Sequence, residues 1–133
     1  MQIVGHGIDI VDTSRVGRLL AQHERRFLLR CFTEHEQACA ADRRHRLEFL
    51  AGRFAAKEAI LKAVGTGWRN GIAWTDAEVV REPSGRPIVR LHGQLAAIAT
   101  GRGIDQWWIS ISHIRTHATA SAIAVATGQG ERM

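Results

Sequence analysis

The chain has 133 residues, 45% hydrophobic and 23% charged, with a net charge of +5 from 18 Lys and Arg against 13 Asp and Glu. That composition suits one soluble domain with a real core; no apolar run reaches the length of a membrane span, and two cysteines are too few for a disulfide framework. The N-terminus lacks the basic start and long apolar stretch of a signal peptide, so a cytoplasmic location is the expectation.

Residues 2–11 alternate as a strand, with Val4, His6, Ile8 and Ile10 on one face and Ile3, Gly5, Gly7, Asp9 and Val11 on the other. Gly5 and Gly7 clear room on the face that carries Asp9. A carboxylate within an apolar strand needs a cation or hydrogen-bond donors, so Asp9 reads either as a metal ligand or as a structural cap of a neighbouring helix. Asp12, Thr13 and Ser14 are N-cap residues that open a helix over about 13–22. A second short helix carries Arg25, Arg26, Phe27 and Arg30, where Phe27 among arginines reads as an exposed anchor for a protein partner. Residues 33–36 fit a capping box and start the helix that holds Cys39. Cys31, His35 and Cys39 form a ladder at four-residue spacing on one helix face; with no fourth ligand evident, the cysteines read as buried or half-buried small residues rather than a zinc site. Residues 42–45 are a charged break.

The run FLAGRFAAKEAILKAVGTG at 49–67 is a long helix ending in a glycine-bracketed turn. Leu47, Leu50, Phe54 and Leu61 give it one apolar stripe. Gly65 stands at the C-terminal cap, and Gly67 lets backbone approach a ligand closely. Glu58 and Lys62 are four apart, as are Arg53 and Lys57 on an adjoining face. Spacing alone favours a solvated ion pair for Glu58 and Lys62. Their position beside a Gly-Thr-Gly turn, whose N–H groups could face a phosphate, argues instead for a site that holds a hard divalent cation through one or two carboxylates.

Beyond that turn come a loop at 68–71, short strands at 72–74 and 77–81, a turn at 82–87, a return strand at 88–91 and a helix at about 94–100, stopped by Gly101 and Gly103. In a strand at 107–113, Trp107, Ile109, Ile111 and His113 share one face and Ser110 and Ser112 the other. The last strand, 118–126, alternates Ala with Thr, Ser, Ile and Val, small enough for close packing, including packing between subunits. No repeat or linker divides the chain, which reads as a single domain over 1–133 with a frayed tail at 128–133. The positive charge, concentrated in the arginines of the first third, favours an acidic partner: a phosphorylated small molecule, an acidic protein or nucleic acid. Those arginines carry no run of interleaved aromatics as a base-stacking platform would, which argues against nucleic acid.

Three motifs in order, GIDIV at 7–11, FLAGRFAAKEA with KAVGTG at 49–67 and SISH at 110–113, resemble the small bacterial holo-acyl-carrier-protein synthases of the 4′-phosphopantetheinyl transferase superfamily. FTEHE at 32–36 and PSGRP at 83–87 support the resemblance. It implies an α+β fold in which a long central helix packs on an antiparallel sheet, in a single-repeat subunit that forms a homotrimer with sites between adjacent subunits. It also implies transfer of the phosphopantetheine arm of coenzyme A to a serine of apo-acyl carrier protein, releasing adenosine 3′,5′-bisphosphate. Asp9 and Glu58 would hold Mg²⁺ against the pyrophosphate, and Lys62 would stabilise the bridging or leaving phosphate. The base that takes the serine proton would be Glu58 or a water on the metal, and the motifs leave both open. Arg53, Lys62, Gly65, Thr66 and His113, with Arg86 and Pro87, resemble the coenzyme A contacts. Arg15, Arg26, Phe27 and Arg30 match the carrier-protein-binding helix face. Three features depart from the family pattern: His6 in place of an aliphatic residue, Gln22 in place of a basic one, and the loop at 68–71. A non-catalytic basic module that binds RNA or an acidic protein would make no use of Asp9 or the Gly-Thr-Gly turn, and the intact set Asp9, Glu58, Lys62 and His113 speaks against a coenzyme A binder without turnover.

Overall fold

The computed structural model describes residues 1–68 and 71–128. The elements run β1 (Gln2–Asp12), α1 (Thr13–Cys31), α2 (Glu34–Ala41), α3 (Arg46–Val64), a 3₁₀ turn (Trp74–Asp76), β2 (Ala77–Arg81), β3 (Pro87–Leu91), α4 (Gly93–Gly101), β4 (Gln106–His113) and β5 (His117–Ala126). An antiparallel sheet has the order β1–β5–β4, and β2–β3 forms a separate hairpin. The fold is α+β, with the long α3 packed across one face of the antiparallel sheet.

The glycines of β1 and the alanines of β5 make that packing close. A Cβ on Gly5 would overlap the carbonyl oxygen of Ala63, and one on Gly7 that of Ala59. The room they clear is therefore filled by helix backbone, not by a ligand. Ala118, Ala120, Ala122 and Ala124 of β5 are buried on the same face, so these small residues serve contact within the chain rather than between subunits. The expected single stripe on α3 is also too modest. Every residue from Phe49 to Val64 is buried except Glu58 and Lys62. Among the described residues no helix or strand packs on the opposite face of the sheet, and Val4, Ile8 and Ile10 of β1 and Trp108 of β4 stand exposed there.

Asp12 caps α1, its carboxylate accepting from the Ser14 N–H at 2.8 Å. The two short helices expected over 13–30 form one element kinked at His23, whose φ of −145° and ψ of 45° are non-helical. The kink turns Phe27 inward: it is buried, edge-on to Phe32 and tilted against Phe54. Phe27 is thus a core residue and not an exposed anchor. The exposed apolar side chain among these arginines is Leu29, at 61%. Thr33 and Glu36 form the expected capping box at the start of α2. Cys31 is buried at the end of α1, so it does not share a helix with His35 and Cys39, which approach each other at 3.7 Å. Residues 72–74 are not a strand. The Asp76 carboxylate accepts from the Ala73 and Leu95 N–H groups and holds this segment as the 3₁₀ turn. Two positions of the 68–71 loop and residues 129–133 of the expected tail lie outside the described residues.

The deepest polar group is Lys57, fully enclosed between α2, α3 and β2. Its Nζ donates to Glu36 Oε1 at 2.7 Å and to the Ala77 carbonyl at 2.7 Å, while Glu36 Oε2 accepts from the Val79 N–H at 3.0 Å. Glu36 therefore caps α2 and ties β2 to α3 at once.

Candidate active site

The two breaks in the burial of α3 lie on one flank of the helix. Glu58 and Lys62 are one turn apart and share that face. Lys62 does not pair with Glu58; its Nζ donates to Asp9 Oδ1 at 3.2 Å and to the Ile8 carbonyl at 2.9 Å. The geometry of β1 explains the meeting. Gly5 lies beside Ala63 and Gly7 beside Ala59; two strand residues and one helical turn cover similar lengths, so Asp9 falls about one further turn towards the N-terminus of α3. The Lys62 side chain leans the same way, towards the helix N-terminus. Thr119 holds the strand here, donating from Oγ1 to the Asp9 carbonyl at 2.8 Å.

Beyond Lys62 the helix ends on Gly65, whose φ of 91° is left-handed and whose N–H is taken by the Leu61 carbonyl at 2.9 Å. That N–H is therefore engaged within the helix cap and does not face a phosphate. Gly67 also has a positive φ, 65°, and Thr66 between them is buried. The Arg102 guanidinium donates to the Val64 carbonyl and meets the negative end of α3. It places a cation beside the turn that the spacing of the sequence did not suggest.

The other flank of α3 borders a cleft of about 550 Å³ lined by Arg43, Phe49, Arg53, Arg81, Pro87 and His113 among others. Gly52 brings the helix this close to β4, since a Cβ there would lie 2.9 Å from Ile111 Cγ2. Arg53 is only 4% exposed, and its Nε has no hydrogen-bond partner among the described residues. Burial, with the charges of Arg81 and Arg43 acting in the same direction, pushes its guanidinium down to about 10. Arg53, Pro87 and His113 are thus together. Arg86 is not among the residues lining the cleft: its guanidinium lies over the Trp108 ring, 4.8 Å from the centroid.

The proposed site residues therefore form two groups. Arg53 and Lys62 are separated on α3 by about 14 Å along the axis and about half a turn around it. On the sheet, Asp9 and Ile111 pair with Ala120 from opposite sides, so β5 runs between the two groups. Arg15, Arg26 and Arg30 are exposed on α1. Arg26 and Arg30 join Arg25 and Leu29 around an open depression, whereas Arg15 lies over the Phe54 ring at 5.5 Å. Sequence reasoning missed Arg43 and Arg81 in the cleft. Arg43 belonged to a run that read only as a charged break, and Arg81 to a strand end. The four-residue spacing of Phe49 and Arg53 was the available signal.

A family model described as the 4′-phosphopantetheinyl transferase superfamily matches residues 5–129, and the chain belongs to that superfamily. Within it, the chain is 44% identical over 121 residues to the holo-acyl-carrier-protein synthase of Koribacter versatilis, across 91% of this chain and 97% of that protein. Its fold is similar to the crystal structure of the synthase from Neisseria meningitidis, with a TM-score of 0.86 and 31% identity across 93% of this chain and 99% of that one. It is also similar to the Bacillus anthracis synthase in complex with coenzyme A (3′,5′-ADP), with a TM-score of 0.75 and 35% identity across 93% of this chain and 97% of that one.

Proposed function

We propose that this chain transfers the 4′-phosphopantetheine group of coenzyme A to a serine of an apo-acyl carrier protein and releases adenosine 3′,5′-bisphosphate. The observation that carries the reading is the flank of α3 where a helix otherwise buried from Phe49 to Val64 presents Glu58 and Lys62, the latter already meeting Asp9. The serine Oγ forms a bond to the β-phosphorus as the bond to the bridging oxygen breaks, and the serine proton passes to a base. Lys62 is half exposed on a flexible stem, so its ammonium can leave Asp9 and follow the charge that builds on the departing phosphate. Glu58 is half buried and takes part in no ion pair among the described residues, which favours its carboxylate as the proton acceptor.

Among the described residues no three acidic, His or Cys side chains converge on a point. A pair of carboxylates suits an ion held largely by substrate oxygens, as Mg²⁺ commonly is. Asp9 and Glu58 would hold Mg²⁺, which when bound neutralises charge on the pyrophosphate.

The site is proposed to be shared between subunits of a homotrimer. Two observations support this: the groups around Lys62 and Arg53 sit on opposite flanks of α3, and the outer face of the sheet leaves Ile8 and Ile10 at 59% and 66% exposure. The carrier protein docks on the arginines of α1, where charge complementarity with an acidic partner raises the on-rate. Leu29 replaces Phe27 as the apolar contact available there.

The decisive test is the intact mass of an apo-acyl carrier protein after incubation with this chain, coenzyme A and Mg²⁺, with and without a chelator. A gain of one phosphopantetheine that the chelator abolishes is expected. No gain with any of several apo-carriers, while coenzyme A still binds, would remove the transferase reading.

A further inference from the structure

The C-terminal end of α3 poses an electrostatic problem for a site that receives phosphate. The last carbonyls of a helix have no partners within it, and together they carry about half a negative charge. The turn through Gly65, Thr66 and Gly67 continues from this end, in a field that disfavours anions. Its first donor gives no relief, because the Gly65 N–H is taken by the Leu61 carbonyl at 2.9 Å. Lys62 is the basic residue of the last turn, but its ammonium is directed back to Asp9 and the Ile8 carbonyl. The helix end is met instead from 38 positions away in the chain, where Arg102 Nη1 donates to the Val64 carbonyl. Gly65 admits it closely, since a Cβ there would lie 3.2 Å from Arg102 Nη1.

Arg102 is fixed for this role at the end of α4. Its own N–H is shared between the carbonyls of Ile98 and Ala99, each at 3.1 Å, and the buried Ile104 follows with its N–H on the Ala99 carbonyl at 3.0 Å. The residue therefore closes two helices, α4 through its backbone and α3 through its side chain. Among the described residues the ion pairs join Arg46 to Glu24, Lys57 to Glu36, Lys62 to Asp9 and His92 to Glu78, and none includes Arg102. A whole positive charge thus stands against the partial negative charge of the helix end, and the balance beside the turn is positive.

We propose that Arg102 is a charge-setting residue for the transfer reaction: its guanidinium reverses the field at the end of α3, so that the Gly-Thr-Gly turn admits the coenzyme's pyrophosphate instead of repelling it. The inference rests on the coenzyme A reading above and adds to it a residue of α4 that touches no reacting atom.

The test is calorimetric titration with coenzyme A, alongside steady-state kinetics of carrier modification, for the wild type, Arg102→Gln and Arg102→Lys at low and at high salt. Glutamine keeps a side-chain N–H for the Val64 carbonyl without the charge, and lysine keeps the charge. Arg102 is exposed, so both variants should melt within a few degrees of the wild type. Arg102→Gln is expected to raise the dissociation constant and the KM for coenzyme A about 5-fold at low salt, with kcat within about 2-fold. Arg102→Lys should stay within about 2-fold of the wild type, and the gap between the variants should close at high salt, where an exposed charge is screened. A glutamine variant that binds coenzyme A like the wild type at low salt, or a lysine variant as weak as the glutamine one, would show that Arg102 only caps the helix and would overturn the proposal. A wild type that neither binds coenzyme A nor modifies a carrier would instead overturn the coenzyme reading on which the proposal stands.

Discussion

Lys57 and Lys62 stand five residues apart on α3, and each meets a carboxylate from another element. Lys57 is enclosed, and its ammonium is met by Glu36 and by the carbonyls of Trp74 and Ala77. Burial holds it below its usual value, and Glu36 offsets part of that shift. Lys62 reaches Asp9 from a side chain that is 53% exposed. An enclosed pair cannot be parted without leaving a charge in the core, whereas a wet pair contributes little and can be exchanged for another partner. One ion pair therefore cannot be opened without a large cost, while the other can be opened at little cost. The same two residue types serve opposite ends because their surroundings differ.

The largest effects should come from crossing the two sites. Lys57→Met is expected to lower unfolding free energy by about 3–5 kcal/mol in chemical denaturation, because Glu36 is left buried and unpaired. Lys62→Met should cost less than about 1 kcal/mol in the same assay, yet lower turnover about 100-fold or more. A Lys62 variant that loses stability and activity together would erase the distinction. Glu58→Gln, which keeps size and removes charge, should reduce carrier modification about 1,000-fold with an unchanged melting temperature. Retained activity at high Mg²⁺ would withdraw its proposed role.

Smaller effects sharpen the comparison at the surface. Arg15→Glu should raise the KM for the carrier protein about 10-fold while leaving coenzyme A affinity alone, and the difference should shrink as salt is added. Equal losses in both titrations would place the docking face elsewhere. His92→Ala tests a third carboxylate, Glu78. Burial by itself would raise its pKa, but hydrogen bonds from Thr33 and His92 hold it below the usual range. A carboxyl lowered by folding contributes stability that is present above its unfolded value and is lost as pH falls through the folded one. Removing His92 should therefore cost about 1 kcal/mol near neutrality and move the acid unfolding midpoint to higher pH. Circular dichroism across the acid range measures the shift, and an unmoved midpoint would show that Thr33 alone sets the carboxyl.

Where local chemistry decides structure, the sequence was legible. The alternation of β1, the capping box at Thr33, the left-handed cap at Gly65 and the hairpin around Gly85 all depend on residues a few positions apart. The reading failed where packing decides. Phe27 sits among arginines in the chain, yet the kink at His23 turns it into the core and leaves Leu29 outside. Residues 72–74 have strand-forming side chains, yet the Asp76 carboxylate claims their backbone for a turn.

By itself the sequence determined most of the elements, the motifs that place the chain in its superfamily and the choice of Asp9, Glu58, Lys62, Arg53 and His113 as candidate site residues. Only the tertiary structure decided that Lys57 is structural while Lys62 is available, and that Arg53 and Lys62 face opposite sides of one helix. The reason is physical: periodicity and capping act over a turn or two of chain, whereas burial depends on which distant segments close over a residue. The carbonyl oxygens of Ala59 and Ala63 against Gly7 and Gly5 fix how α3 crosses the sheet. That crossing sends one flank to Asp9 and the other to the arginine cleft.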